Sequence, residues 1–293
     1  MDAPIFDRST QDVGNIVELG HVNVRVPDQL VATLFYVTGL GLTRDPYLMT
    51  GVDNMWVNVG IGQFHLPVGP AQVLRGTTGL VVPDIDALEG RLKMVAPRLA
   101  GTKFAYKRRK DTVEVSCPWG NAMRLHAPDP ARFGRIALGM PYVEIDAMPG
   151  SSDGILRFYA EIIGAKGSKG RDKAGKFARI PIGLNEALIF RETERARVPF
   201  DGHHIQVAFA DFSGPHAKLL ARGLITEESN ESQYRFQDIV DLDTGAVLSS
   251  VEHEVRSMRH PMFARALVNR DPATTNNFYA ASYQAGRVTL PPV

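Results

Sequence analysis

The chain of 293 residues has a single cysteine, Cys117, so no disulfide framework can form within it, and a reducing compartment fits better than an oxidising one. It also has little net charge. Lys+Arg total 33 against Asp+Glu 32, a balance that draws in neither a polyanion nor a membrane surface. No apolar run approaches the roughly 20 residues needed to cross a bilayer. The opening "MDAPIFDRSTQDVGN" lacks the basic start and apolar stretch of a leader. These absences predict a cytoplasmic protein that takes a small molecule, with no nucleic acid and no membrane as partner. What is present, 44% hydrophobic and 22% charged residues, is ordinary globular composition, and the length fits about two domains.

Period-two alternation comes first. In "ELGHVNVRVPD" (18–28) Val22, Val24 and Val26 alternate with His21, Asn23 and Arg25, the pattern of a strand with one apolar face. A helical pattern over 29–37 follows and ends at Gly39 and Gly41, before three further short strand patterns. This βαβββ unit is written four times. "DGHHIQVAFAD" (201–211) repeats the histidine followed seven residues later by aspartate, and Phe35-Tyr36 recurs as Phe158-Tyr159 inside the helix of the third unit. Self-similarity with a period of about 60 residues indicates duplication. One unit leaves a sheet face uncovered, so units must pair. Pairing in chain order predicts an N-terminal extension (1–15), one domain over 16–128, a linker (129–137), a second domain over 138–255 and a C-terminal tail (256–293) packed over the surface or onto a neighbouring subunit.

Tandem βαβββ units carrying "HVNVRVPD", "FYVTGLGL" and "CPWGNAMRLHAPD" resemble the vicinal oxygen chelate superfamily, which includes glyoxalase I, extradiol dioxygenases, 4-hydroxyphenylpyruvate dioxygenase and bleomycin-resistance proteins. The resemblance covers nearly all of residues 16–255. It implies an α+β fold of four βαβββ modules paired into two half-barrel domains. It also implies metal ligands from the first and last strands of a module, facing the cavity. Fold alone does not choose the reaction, because this superfamily hosts several.

Carried over residue by residue, the resemblance places His21 and His65 at ligand positions of the N-terminal cavity. The matching last-strand position of the second unit falls on Arg124, which cannot ligate a metal, while His126 shares its face. For the C-terminal cavity it places His204 on the first strand of unit four and Glu252 on the last strand, with Glu254 as the alternative register. Glu144 is the third candidate, with Tyr142 as its alternative. A Glu144, His204, Glu252 set suits Fe(II) or Mn(II) better than zinc. Gln206, on the face of His204, is a candidate to hydrogen-bond substrate, and Tyr234 is a candidate from the third strand of unit four, where either face could line the cavity. Two functions follow. One is a metal-dependent enzyme working in the C-terminal cavity, with a dioxygenase preferred over a lyase or isomerase. The other is a metal-free protein that sequesters an aromatic or anionic compound. A homodimer is compatible with either.

The basic run Lys107–Asp111 reads as a solvated hairpin turn, and the glycine- and lysine-rich segment 164–177 as a turn without the context of a phosphate loop. Arg256, Arg259 and His260 follow the candidate ligand strand, and a salt bridge to Glu254 is the expected role.

Overall fold

The computed structural model describes residues 6–46, 48, 53–195, 198–265 and 267. Module one supplies β1 (Ile16–Asn23), β2 (Thr43–Arg44), β3 (Asn54–Val59) and β4 (Gly62–Pro67). Module two supplies β5 (Gly76–Val81), β6 (Ala105–Arg108), β7 (Thr112–Ser116) and β8 (Ala122–His126). Module three supplies β9 (Gly139–Ala147), β10 (Ser168–Asp172), β11 (Gly175–Ile182) and β12 (Glu186–Glu192). Module four supplies β13 (His204–Phe209), β14 (Ile225–Asn230), β15 (Gln233–Val240) and β16 (Val247–Ser257).

Helices stand where the sequence patterns place them. The first, α1 (Gln29–Ala32), is capped by the Asp28 carboxylate, which accepts from the N–H groups of Leu30 and Val31, and it widens into a π-helical turn over Thr33–Gly39. Capped in the same way by Asp84, α2 (Ile85–Val95) is the helix of the second module. A short α3 (Pro130–Phe133) lies in the linker. In module three α4 (Ser152–Phe158) passes into a second π-helical turn, Tyr159–Ile163, so the repeated Phe-Tyr dipeptide marks the same irregular helix twice. Module four carries α5 (Ser213–Leu220).

Two eight-stranded mixed sheets result, and neither closes into a barrel. Their orders are β14-β15-β16-β13-β1-β4-β3-β2 and β10-β11-β12-β9-β5-β8-β7-β6. The fold class is therefore α+β with paired half-barrels. The sheets join module one to module four and module two to module three, whereas the sequence reading grouped neighbours in chain order. The physical reason is edge pairing. Within a module the first strand lies parallel to the last, as β1 does to β4, which leaves the outer edge of the first strand open. That edge of β1 is taken by β13, antiparallel, and that of β5 by β9. Alternation along a strand shows which face it buries and is silent on which neighbour it hydrogen-bonds.

The apolar faces of both sheets and the helices share one core. Val22, Phe64, Ile205, Phe236 and Val255 are fully buried in it with Phe35, Tyr36, Phe158 and Tyr159. The Tyr36 ring meets Phe64 at 5.1 Å and Phe158 meets Phe236 at 6.1 Å. His253 belongs to this core: its Nδ1 donates to the Val251 carbonyl at 2.9 Å, so its Nε2 accepts from the Tyr159 hydroxyl at 2.6 Å.

Candidate metal centre

The opposite face of the first sheet is polar because the residues alternating with that core are polar. Parallel pairing sets His21 opposite Gln63 and Asn23 opposite His65, while antiparallel pairing sets Asn23 opposite His204 and His21 opposite Gln206. The three histidines are thus diagonal neighbours across the central strands, close enough for rings to meet. One ligand nitrogen from each of His21, His65 and His204 falls within 4.8 Å of the others. The Nε2 atoms of His21 and His204 are 3.3 Å apart.

Burial holds two of these rings neutral. The fully enclosed His21 has its pKa driven well down by burial, with opposition from Glu254. For His65, burial and then the neighbouring His204 push it down to about 3. Its Nε2 lies 2.8 Å from Asn54 Oδ1. An amide oxygen only accepts, so Nε2 carries the proton and Nδ1 keeps its lone pair, an orienting arrangement common around metal ligands. His65 also stacks on Trp56, 3.8 Å between centroids.

Carboxylates come from β16, whose Glu252 pairs with His204 and Glu254 with Gln206. Glu252 Oε2 is 3.6 Å from His204 Nδ1, and Glu254 Oε2 is 3.4 Å from His204 Nε2, the nitrogen that faces His21. Both residues left open by the sequence therefore reach His204, and Glu254 is the one on the nitrogen that faces His21. Burial pushes the Glu254 carboxyl up, yet Arg256 and the hydrogen bond from His204 outweigh it and hold it well below the usual range. Arg235 clamps both acids, donating from Nη1 to Glu252 at 2.8 Å and from Nη2 to Glu254 at 2.6 Å. Arg235→Gln strips the shared cation from two partly desolvated carboxylates. It is expected to lower stability by about 3 kcal/mol, read as a fall in the urea midpoint at unchanged slope.

Several expected residues are placed elsewhere. Glu144 lies on β9 of the other sheet and pairs with Arg191 at 2.9 Å, so it does not meet His204. Arg124 and His126 are also on that sheet, His126 Nε2 being 2.9 Å from the Tyr142 hydroxyl, and neither completes a set with His21 and His65. Tyr234 turns into the core against Phe212 and His216, each ring 4.9 Å away, and Arg235 takes the polar face instead. Gln206 does face the site. Its side chain folds across Gly20, where any Cβ would collide with it, and its buried Nε2 has no partner. Arg256 reaches Glu254 at 2.6 Å, as a salt bridge.

A cavity of about 540 Å³ opens beside His21, lined by Glu18, Gln63, Gln206 and Arg256 and covered by the described part of the tail, Met262 to Arg265 and Leu267. A buried ion pair anchors that cover: Arg265 Nη2 donates to Asp45 Oδ2 at 2.7 Å, and the same oxygen accepts from Gln63 at 2.8 Å. Ala264 adopts a left-handed φ of 50°, unusual without glycine, and its N–H donates to Glu18. Burial raises the Glu18 carboxyl to about 7, against the pull of Arg256. The sequence pattern had no signal for Glu18. Its register is shifted by irregular pairing on both sides, between Ile16 and Glu18 and between Leu19 and His21.

Comparison with solved structures yields the same architecture. Glyoxalase I from Zea mays is 15% identical over 82% of this chain and 92% of its own, with a TM-score of 0.59. A putative dioxygenase from Bacillus subtilis is 14% identical over 94% of this chain and 92% of its own, at 0.56. The cppA protein of Streptococcus pneumoniae is 14% identical over 83% and 99%, at 0.50. The fold is that of the vicinal oxygen chelate superfamily. No protein-family model matches the sequence, and no curated protein matches it by sequence. In this vicinal oxygen chelate fold the three-histidine group falls on the seam between modules one and four. Among the described residues, no helix is long and apolar enough to cross a membrane.

Proposed function

We propose that this chain is a metal-dependent enzyme of the vicinal oxygen chelate type, dioxygenase-like in class, which takes a small oxygenated substrate in the cavity over β1 and β13. The observation that carries this reading is the convergence of His21, His65 and His204, with ligand nitrogens within 4.8 Å of one another. The neutral imidazoles of His21 and His65, with the His204 ring and an ionised Glu254, form a donor set of nitrogen and oxygen that suits Fe(II) or Mn(II). A divalent ion held there supplies Lewis acidity to two adjacent substrate oxygens. The chain's own groups do the rest. The Gln206 amide donates to a substrate oxygen, the tail excludes water, and Glu18, with its pKa near neutrality, holds or moves a proton within the cavity.

Glu18 favours a second reading, since a carboxyl poised near pH 7 suits a lyase or isomerase as well. Oxygen uptake by anaerobically purified, Fe(II)-loaded protein separates the two. Stoichiometric consumption of oxygen with a catechol or a 2-oxo acid supports the dioxygenase; turnover of an oxygenated substrate with no oxygen consumed supports proton-transfer chemistry. Under either, Glu18→Gln is expected to lower kcat/KM by roughly 10²–10⁴-fold and to remove the titration near pH 7 from its pH profile. If no metal is retained after reconstitution with Fe(II), Mn(II), Ni(II) or Zn(II), the enzyme reading is lost and a small-molecule binding protein remains.

A further inference from the structure

The corresponding face of the second sheet is built for a different ligand. Its central strands present Gly79, Arg124, Tyr142 and Glu144, with Gly79 opposite both Arg124 and Tyr142 and Thr77 opposite Glu144. The Tyr142 ring lies across Gly79, where any Cβ would run into it.

Beside them lies a cavity of about 430 Å³ whose wall carries Arg124, Arg132, Arg179 and Arg191 against only two carboxylates, Glu144 and Asp172. Two positive charges are therefore in excess. Both acids are committed to one arginine: Arg191 reaches Glu144 at 2.9 Å and grips Asp172 through two hydrogen bonds of 2.8 and 2.9 Å. Arg179, half-buried on β11, has its pKa pulled down by burial with no acid acting against it. Arg124 stands across Gly79 from Tyr142. Phe177, Tyr142 and Ile189 supply apolar wall. Desolvating guanidinium groups without a counter-charge is costly, and an entering oxyanion recovers that cost while matching the planar fork of arginine. The volume lies within the range of small-molecule sites.

We propose that the second sheet carries a binding site for a small organic oxyanion, a carboxylate or phosphate ester attached to an apolar body, with Arg179 and Arg124 as its charge partners. This site stands apart from the three-histidine centre and does not require that the latter hold a metal.

Titration calorimetry on the full chain at low salt, with benzoate, phenyl phosphate and inorganic phosphate as probes, tests the assignment. Saturable binding of benzoate or phenyl phosphate at one per chain is expected, with inorganic phosphate weaker because it leaves the apolar wall uncovered. The tighter of the two aromatic probes identifies carboxylate or phosphate ester as the natural class. Arg179→Gln should weaken binding by roughly ten- to hundredfold, the effect of losing one charge-assisted hydrogen bond, and Arg179→Lys should recover part of it. His204→Ala should bind as the wild type does. Circular dichroism and thermal melting establish that each variant is folded. The assignment is overturned if none of the three probes binds saturably, or if His204→Ala loses binding while Arg179→Gln keeps it.

Discussion

Replacing His204 by alanine is expected to abolish metal retention, while Glu144→Ala leaves it unchanged. His204 stands at the centre of the proposed site, its Nε2 3.3 Å from His21 Nε2 and 3.4 Å from Glu254 Oε2. Glu144 is engaged by Arg191 on the other sheet. Loss of an orienting outer partner typically costs 10–100-fold in metal affinity, so loss of a direct ligand should exceed about 100-fold. His21→Ala should behave like His204→Ala, because the two come from different modules and neither module alone assembles the group. Mass spectrometry of protein purified anaerobically without a histidine tag, read as metal per chain, decides the matter. Retention in both histidine variants would remove the seam between modules one and four as the metal site; loss in Glu144→Ala would place the ligands on the second sheet.

The second large effect is acid lability. Burial pushes His65 down to about 3 and His253 to about 4. Burial, then nearby arginines, brings His126 and His260 to about 4. A histidine with a folded pKa below its unfolded value stays neutral while the unfolded chain takes up a proton. Stability present above about pH 6.5 is therefore lost as the pH falls below it. Glu254, held well below the usual carboxylate range, acts in the same direction: its contribution is lost as pH falls below about 4.5. Glu18 and Glu186, both raised to about 7 by burial, oppose this, since they cost stability as pH rises from about 4.5 towards 7. The histidines outnumber the two acids, and three of them, His126, His253 and His260, are buried. A net loss on the order of 2–5 kcal/mol is expected between pH 6.5 and 4.5, at 1.36 kcal/mol per pKa unit for each group. Scanning calorimetry at pH 7.5, 6.5, 5.5 and 4.5 should show the midpoint falling progressively below pH 6.5. A flat profile would contradict the neutral, buried state assigned to these rings. With metal loaded the fall should steepen, because protonated His21 and His65 cannot ligate.

Much of the architecture was legible because it is local. Alternation around His21 and His204, the helical pattern over 29–37 and the recurring Phe-Tyr dipeptide depend on residues close in sequence, and each reappears as a strand, a helix or a π-helical turn. Glu144 illustrates the limit. Its spacing from Phe158 matches that of His21 from Phe35, yet equivalence between repeats says nothing about which repeats become neighbours. The same is true of Tyr234 and Arg235, adjacent in sequence on a strand buried on one face: the pairing of β15 with β16, Tyr234 opposite the core residue Val255 and Arg235 opposite Glu254, settles which points to the polar side, and no local pattern encodes that register.

By itself, then, the sequence determined four duplicated βαβββ units, their α+β class and the polar faces on which His21, His65, His204 and Glu254 stand, because period and propensity act within a few residues. Tertiary structure alone decided that module one pairs with module four. Edge-to-edge hydrogen bonding between β1 and β13 links residues about 180 positions apart, and that pairing turns histidines from opposite ends of the chain into one candidate centre while leaving arginines on the other sheet.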